Sequence, residues 1–137
     1  MRNISYLNLK TINTPYQQAI KEALTEVLDS GWYLRGKCVE RFEREWAAYC
    51  GQRYCASCSS GLDALTLVLK AWKEAELLKD GDEVIVPANT FIATFLAVSE
   101  AGLRPVPVDP DPITCLITTD GIERALTSDT RAIVPVH

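Results

Sequence analysis

Hydrophobic residues recur at helical spacing along the first third of the chain. Over Tyr16–Ser30 they repeat every three or four positions, which predicts an amphipathic helix with Gly31 just beyond its end. After a loop, WYLRGKC, a second helix is predicted over Val39–Cys50, with Gly51 as its stop signal. The aromatic residues of this second segment share one helix face: Phe42, Trp46 and Tyr49.

The pattern changes to short apolar runs after position 52. Tyr54–Cys58 is typical of a short strand, and Glu83–Pro87 is typical of a buried strand rich in β-branched residues. Between them, Asp63–Ala75 is apolar on nearly all sides, which predicts a deeply buried helix. A turn at Asp80–Asp82 separates that helix from the second strand.

The alternation of helix and strand continues toward the carboxyl end of the sequence. Ala93–Ala101 predicts a helix capped by Gly102, and Pro105–Val108 predicts a strand that closes with DPDPIT. We therefore expect βαβ units, which form parallel sheets.

The final segments complete this pattern. Asp120–Leu126 predicts a short helix in which Asp120 is the cap and Glu123 occupies a capping-box position. Arg131–Val136 predicts an apolar strand. The fold class predicted is α/β: an αβα sandwich with a mainly parallel sheet and helices on both faces.

The domain organisation predicted is a single, incomplete domain over residues 1–137. Residues 1–52 form an N-terminal helical segment, and residues 53–137 form the βα units. The sequence ends at AIVPVH, a fully apolar strand, whereas strands of parallel sheets need a covering element after them. We therefore expect that the domain continues beyond His137.

Composition and charge narrow the class of protein. Of the 137 residues, 47% are apolar and 23% are charged, which is typical of a globular protein. The net charge of -4 argues against a general binder of nucleic acids or anionic membranes. The N-terminus, MRNISYLNLK, lacks the apolar region of a signal peptide, so we expect a cytoplasmic protein.

The five cysteines favour reduced thiols over a disulfide framework, because their number is odd and no export signal is visible. Cys55 and Cys58 form a lone C-x-x-C motif, a weak indication of a metal or redox site. Side chains an odd number of residues apart on a strand point to opposite faces, as those of Cys55 and Cys58 would. His137 is the only histidine in the sequence. We interpret both cysteines as small buried residues and expect no metal site.

The stretch SSGLDAL lies where a predicted strand gives way to a helix. The first amides of a helix lack partners and carry partial positive charge, while Gly61 allows close approach and Ser60 offers a hydroxyl. These features favour a phosphate site. The alternative interpretation is an ordinary helix cap, which short Ser/Gly turns commonly form.

A second segment, PANTFIAT, follows the next predicted strand at the same edge of the sheet. Ligands of open α/β sheets bind beyond the carboxyl ends of strands, which places Phe91 near the SSGLDAL turn. An aromatic face beside an anion site suits a flat phosphorylated ring. The alternative is an aromatic side chain of the core.

The ordered series FEREWAAYCG, SSGLDALTLVLKA, GDEVIVPANTFIAT, PVPVD and TRAIVPVH resembles the N-terminal part of the DegT/StrS family. These proteins are pyridoxal-phosphate-dependent sugar-nucleotide aminotransferases of deoxy-amino-sugar biosynthesis. The resemblance runs from about Leu7 to His137. It implies the N-terminal part of the large domain of fold-type-I pyridoxal phosphate transferases, and an amino group passed from glutamate to a keto-deoxysugar nucleotide.

The resemblance also implies site residues. The backbone of Gly61 and Leu62, with Ser60, would hold the phosphate of pyridoxal 5'-phosphate, and Phe91 would stack on its ring. Family members are generally homodimers whose active site lies at the subunit interface. The loop that carries Trp32 and Tyr33 is therefore expected to face substrate or the partner chain. Anchoring of the loop is the alternative role for these two residues.

Two residues that the family's chemistry needs have no counterpart here. A lysine forms the Schiff base and an acidic residue pairs with the pyridine nitrogen, and in the family both lie beyond the position of His137. We assign no catalytic residue and expect the 137 residues alone to be inactive. The sequence contains six lysines, all interpreted as solvated charges: Lys10, Lys21, Lys37, Lys70, Lys73 and Lys79.

Two alternative functions remain open. One is a pyridoxal-phosphate-dependent sugar dehydratase of the same family, in which a histidine replaces the lysine. The other is a non-catalytic module that binds pyridoxal phosphate or phosphate and has a regulatory role. Fold analogy alone does not choose among these functions.

Overall fold

The structure is a computed structural model that describes residues 6–137. The first five residues, part of the N-terminus expected to lack a signal peptide, lie outside the described residues. Chain contacts divide the protein into two units, 6–57 and 58–137, which are described separately.

The first unit is helical. It contains α1 (Leu9–Asn13), a 3-10 turn (Thr14–Tyr16), α2 (Gln17–Ser30) and α3 (Lys37–Tyr49). The second unit alternates helices with strands. It contains α4 (Gly61–Glu74), β1 (Glu83–Pro87), α5 (Ile92–Glu100), β2 (Arg104–Val108), α6 (Thr119–Ala125) and β3 (Thr130–Ile133).

The two long helices of the first unit confirm their prediction. Gly31 follows α2 in the left-handed conformation, with φ of 64°, and its amide donates to the Leu28 carbonyl at 3.2 Å. The predicted aromatic face of α3 is present, because Trp46 stacks on Phe42 and Tyr49 at ring-centroid distances of 5.9 and 5.5 Å. No helix in residues 6–137 is long and apolar enough to cross a membrane.

The second unit is built on a parallel sheet of order β2-β1-β3. Every residue of the central strand β1 is buried, as its β-branched sequence predicts. The register with β2 is regular from Glu83 opposite Arg104 to Pro87 opposite Val108. The register with β3 shifts after Glu83, so that Val84 lies opposite Ala132.

Helices lie on both faces of this sheet, as predicted. Val84 and Val86 form one buried cluster with Leu69 of α4 and Val98 of α5. Side chains alternate along a strand, so β1 residues 83, 85 and 87 and the paired β2 residue Val108 face the other side. Gly121 of α6 packs there, since a Cβ at this position would lie 3.0 Å from Val108.

The strand predicted at Tyr54–Cys58 is wrong, since these residues adopt no regular structure. A strand needs a neighbour for its backbone groups, and this segment pairs with no strand of the described residues. The amide of Ser57 instead donates to the Glu43 carboxylate at 2.7 Å. The two cysteines of this segment are also less buried than expected, because Cys55 is half-buried and Cys58 is exposed.

The deep burial predicted for α4 is also wrong. Only Thr66 and Leu69 of this helix are buried. Leu67, Val68 and Trp72 are 55%, 48% and 42% exposed. Within the second unit α4 packs along one stripe against α5, so its remaining apolar residues have no cover from that unit.

The ends of the last two elements differ from the prediction. The cap of α6 is Thr118 and not Asp120, because the hydroxyl of Thr118 accepts from the Gly121 amide at 3.1 Å. β3 ends at Ile133, short of the predicted Val136. The Val134 amide still donates to the Ile85 carbonyl at 2.9 Å just beyond the end of the strand.

Lys73 joins the carboxyl ends of α4 and α5. Its ammonium group pairs with Asp80 and donates to the carbonyl of Ala101, the residue that caps α5, at 2.8 Å. This contact corrects the interpretation of Lys73 as a solvated charge. Because both helices end at this contact and pack on each other, they run in the same direction.

Glu83 lies at the amino end of β1 and ties this strand to both of its neighbours. Its carboxylate accepts from the hydroxyls of Thr127 and Thr130 and pairs with Arg104. The residue is 3% exposed. The Thr127 hydroxyl, followed by Thr130 and Arg104, lowers the pKa of Glu83 against the opposing effect of desolvation.

Substitution of Gly102 by alanine should cost more stability than the same change at Gly81. Both glycines have positive φ, 76° and 85°, a conformation that costs other residues about 1–2 kcal/mol. A Cβ at Gly102 would also lie 2.5 Å from the Asp80 carboxylate, whereas Gly81 has open space. Urea unfolding measures the difference. An Asp80→Ala background should reduce the difference, leaving the Lys73 ammonium as the contact at 3.2 Å, and an unchanged difference there would contradict the steric explanation.

Substitution of Glu83 by glutamine should destabilise the protein most at neutral pH. Because the folded-state pKa of Glu83 is lowered, its contribution is present above the unfolded value of about 4.3 and is lost as pH falls through the folded value. The melting temperatures of protein and variant should therefore converge in acid. Circular dichroism against pH measures this convergence, with Glu45→Gln on an exposed face as control. A pH-independent difference would contradict the prediction.

Candidate functional site

The start of α4 presents two backbone amides that no helical hydrogen bond uses. The first such bond runs from the Ala64 amide to the Ser60 carbonyl at 3.0 Å, and the Asp63 amide donates to the Ser60 hydroxyl at 3.1 Å. The amides of Gly61 and Leu62 precede both bonds. Ser60 is therefore a helix cap, which was the alternative interpretation, and the cap leaves the two amides free for a ligand.

Open space surrounds Gly61. A Cβ there would meet no atom within 4 Å, so neither packing nor backbone conformation requires glycine at this position. The missing side chain instead leaves the amide uncovered. An anion can approach it at hydrogen-bonding distance, and the helix dipole adds positive potential at the same point. The geometry thus fits a phosphate group at this helix start.

Two serine hydroxyls are directed away from such an anion. The Asp63 carboxylate accepts from Ser59 and from Ser60, the latter at 2.7 Å. These bonds, with that of Ser59 the stronger influence, lower the pKa of Asp63. Since a hydroxyl has one proton, Ser60 cannot donate to a phosphate while it donates to Asp63. The main phosphate donors in this geometry are the backbone amides.

Sequence reasoning did not assign a role to Ser59 or Asp63. The signal was present, because Ser60 and Asp63 have the three-residue spacing of a capping box. The structure shows that the carboxylate of Asp63 accepts hydrogen bonds from the two serine hydroxyls, while its amide donates to the cap. The site therefore has a negative charge one turn inside the helix.

Phe91 stands at the carboxyl end of β1, immediately before α5. Its side chain is 79% exposed, so the alternative of a core aromatic is wrong. The preceding turn is held by Ala88, whose amide donates to the Val108 carbonyl at 2.9 Å, and by Asn89, which donates to the Cys115 carbonyl at 3.0 Å. The aromatic ring is thus presented to solvent by a fixed turn.

The direction of the helices brings these two features to the same edge of the sheet. α4 and α5 pack side by side and share the Lys73 contact at their carboxyl ends. Their amino ends, which carry Gly61 and Phe91, therefore face the edge where β1 ends. This edge is the usual ligand position in open α/β sheets.

The loop between α2 and α3 carries the other two predicted residues. Trp32 and Tyr33 are 60% and 63% exposed and belong to the first unit. Both also anchor the loop: the indole donates to the Leu34 carbonyl at 2.7 Å, and the Tyr33 hydroxyl donates to the Leu28 carbonyl at 3.4 Å. Anchoring and exposure coexist, since only the polar edge of each ring is used. His137, the terminal residue, is exposed.

Comparison with known proteins identifies the relatives of this chain. The DegT/DnrJ/EryC1/StrS aminotransferase family model matches residues 15–137. The dTDP-3-amino-3,6-dideoxy-alpha-D-galactopyranose transaminase of Aneurinibacillus thermoaerophilus is 48% identical over 98% of this chain. The dTDP-3-amino-3,4,6-trideoxy-alpha-D-glucose transaminase of Streptomyces venezuelae is 42% identical over 98%. The chain spans only 36% and 34% of the length of these relatives.

Comparison with solved structures shows that this chain shares its fold with proteins of this kind. DesV of S. venezuelae, solved with a ketimine intermediate, has a TM-score of 0.87 and 40% identity. That comparison covers all of this chain and 36% of DesV. GDP-4-keto-6-deoxymannose-3-dehydratase, solved with a trapped PLP-glutamate geminal diamine, has a TM-score of 0.77 and 34% identity. It covers 84% of this chain and 30% of the dehydratase chain.

Removal of the two serine hydroxyls should have separable effects. Ser60→Ala removes the cap of α4 and should lower the free energy of unfolding by about 1 kcal/mol. Ser59→Ala leaves the cap in place but should raise the pKa of Asp63 toward its ordinary value. Urea unfolding and an NMR titration of the Asp63 carboxyl carbon measure the two quantities. An Asp63 pKa unchanged by Ser59→Ala would contradict this account.

Proposed function

The chain belongs to the DegT/DnrJ/EryC1/StrS aminotransferase family, and we propose that it forms the N-terminal part of a pyridoxal-phosphate-dependent sugar-nucleotide aminotransferase. The proposed reaction moves an amino group from glutamate to the keto group of a deoxysugar nucleotide. Support comes from relatives between 37% and 48% identical that are named as aminotransferases of dTDP- and UDP-linked sugars. The whole protein would then serve the biosynthesis of amino sugars.

The observation that carries the proposal is the pair of free amides at Gly61 and Leu62. We assign these amides to the phosphate of pyridoxal 5'-phosphate, with Ser60 positioning the helix start through its cap. The open space at Gly61 admits the phosphate oxygens. The Asp63 carboxylate accepts from the Ser60 hydroxyl and fixes that hydroxyl in its capping orientation.

Phe91 is assigned to the ring of the same cofactor. Its exposed face, at the edge where β1 ends, suits stacking on a planar pyridine. When bound, pyridoxal phosphate supplies an electron sink for chemistry at an amino group. The described residues would contribute binding and orientation: the amides of Gly61 and Leu62 would hold the phosphate end, and Phe91 would stack on the ring.

The 137 residues alone are proposed to be inactive. In the second unit the lysines are Lys70, Lys73 and Lys79, which lie in the later turns of α4 or just before β1. Lys70 is nine residues beyond Gly61, about 14 Å along a helix axis. Lys73 is held by Asp80 and the Ala101 carbonyl. None of the three is placed to reach a cofactor whose phosphate lies at Gly61.

The whole protein is further proposed to be a cytoplasmic homodimer, as the family resemblance implies, with keto-sugar nucleotide and amino donor as its ligands. Trp32 and Tyr33 are proposed to contact the substrate, since both rings are exposed on an anchored loop. The fold supports residues 1–137 as the beginning of the large domain of the complete protein.

A sugar dehydratase is the second candidate function. The dehydratase structure at 34% identity favours it as the alternative. The two functions differ at one position of the complete polypeptide, where the family resemblance implies lysine for the aminotransferase and histidine for the dehydratase. Sequencing the source gene through and past the His137 codon tests this difference. A lysine supports the aminotransferase, and a histidine at that position supports the dehydratase.

Gly61→Glu should weaken binding of pyridoxal phosphate to the chain at least tenfold, about 1.4 kcal/mol, without loss of stability. The new carboxylate meets no protein atom near its Cβ and suits a helix start, but it repels a phosphate there. Equilibrium dialysis measures the affinity, with Gly61→Gln as a control of equal size. Equal affinities for both variants would contradict the electrostatic role of this position.

The same complex should show no aldimine absorption band. Weak binding through phosphate and ring contacts leaves the aldehyde of the cofactor unattached. No lysine of the second unit lies near the proposed phosphate site at Gly61. Borohydride reduction followed by peptide mass spectrometry measures attachment, with free lysine as the reference for chance modification. An adduct concentrated on one specific lysine would overturn the prediction of an inactive chain.

A further inference from the structure

Phe91 occupies a position of α5 where a polar side chain is usual. It is the N-cap of this helix, and N-cap positions favour Ser, Thr, Asp and Asn because their side chains accept a hydrogen bond from the first turn. Phe91 makes no such bond, and its ring is exposed. The residue therefore contributes neither a cap nor a buried side chain to the helix. A local preference broken in this way is expected at a functional position.

Two threonine hydroxyls tie the chain together across Phe91. Thr90 precedes the aromatic residue and Thr94 lies in the first turn of α5, and their Oγ1 atoms are 2.8 Å apart. The Thr94 amide also donates to the Phe91 carbonyl at 3.0 Å. A helical threonine can bond its hydroxyl to the carbonyl four residues earlier, but the partner of the Thr94 hydroxyl is the hydroxyl of that residue. Phe91 is thus enclosed between two residues that are bonded to each other.

The burial of Thr94 makes this contact persistent. Thr94 is 6% exposed and Thr90 is half-buried. Because water is largely excluded from Thr94, its hydroxyl depends on Thr90 for a partner, and a buried hydroxyl left without one is costly. The Thr90 amide donates to the Pro87 carbonyl at 3.2 Å. The hydroxyl pair therefore links the end of β1 to the first turn of α5, with Phe91 between them.

We propose that the Thr90–Thr94 hydroxyl pair positions the Phe91 ring for stacking on the pyridine ring of the cofactor. An aromatic residue on a loose turn loses conformational freedom when a ligand stacks on it, and this loss weakens binding. A turn fixed in advance by supporting hydrogen bonds avoids the loss. Thr90 and Thr94 are positioning residues, since they act through Phe91. The inference rests on the proposed function, in which Phe91 stacks on pyridoxal phosphate.

Equilibrium dialysis of the 137-residue chain with pyridoxine 5'-phosphate and with inorganic phosphate tests the proposal. Pyridoxine phosphate has the ring and phosphate of the cofactor but an alcohol in place of the aldehyde, so it forms no imine with lysine. Thr94→Val removes the hydroxyl, keeps the shape and should weaken binding of pyridoxine phosphate about threefold. Thr94→Ser restores a hydroxyl and should recover most of the affinity. Binding of inorganic phosphate should be unchanged in both variants, because phosphate does not use the ring.

Further variants assign the effect to the aromatic ring. Phe91→Ala should weaken binding of pyridoxine phosphate about tenfold, and Thr94→Val added to Phe91→Ala should have no further effect. Thr90→Val should reproduce the effect of Thr94→Val, and the double threonine variant should bind no more weakly than either, since both changes remove the same bond. Thr90 is only half-buried, so its variant also serves if Thr94→Val does not fold.

Thr66→Val is the matched control. Thr66 is a similarly buried threonine of the second unit, 7% exposed, and its hydroxyl has no hydrogen-bond partner among residues 6–137. It belongs to α4, which packs against α5. The control should bind pyridoxine phosphate like the unchanged chain. Far-UV circular dichroism of every variant establishes that its helices are intact.

Equal affinities of the unchanged chain and the Thr94→Val variant for pyridoxine phosphate would overturn the proposal. An effect of Thr94→Val that persists in full in the Phe91→Ala background would also overturn it. Failure of the proposed function has a different signature: pyridoxine phosphate that does not bind, or that binds equally to the Phe91→Ala variant, rejects the cofactor assignment and this inference with it. A tenfold loss in Phe91→Ala with none in Thr94→Val and Thr90→Val rejects the positioning role alone.

Discussion

The structure of residues 58–137 depends on the complete burial of one five-residue strand. β1 is hydrogen-bonded on both edges and covered on both faces, so its β-branched side chains have only one position in the fold. Its two ends then serve different purposes. At the amino end, Glu83 ties β1 to the turn before β3 and to β2. At the carboxyl end the backbone leaves the sheet at Pro87, and the turn that follows presents Phe91.

Elements defined by their own residues were predictable from the sequence. The bounds of β1 match the prediction, and the helix over Gln17–Ser30 differs by one residue, because an apolar run and a left-handed Gly31 are local signals. Features that depend on neighbours were not predictable. The Tyr54–Cys58 run has strand composition but pairs with no strand of the described residues, and α4 has apolar residues on faces that its own unit leaves open.

In the candidate cofactor site, too, some features could be predicted from the sequence and others could not. Sequence alone indicated a helix start with glycine and serine, and the structure adds that capping and ligand binding use different groups there. Ser60 caps through its hydroxyl, whereas the amides of Gly61 and Leu62 remain unused. The role of Asp63 as acceptor for both serine hydroxyls depends on side-chain rotamers, which no sequence motif specifies. Exposure of Phe91 likewise follows from the turn after β1 and not from its hydrophobicity.

Lys73 is shielded from reagents that modify amines. Its nitrogen donates to the Asp80 carboxylate and the Ala101 carbonyl, and only 24% of the side chain is exposed. Acylation requires a nitrogen free to attack the reagent, so both contacts must break first. Exposed lysines such as Lys10 and Lys21 have no such requirement. The rate at which Lys73 is labelled therefore measures how often the carboxyl ends of α4 and α5 separate.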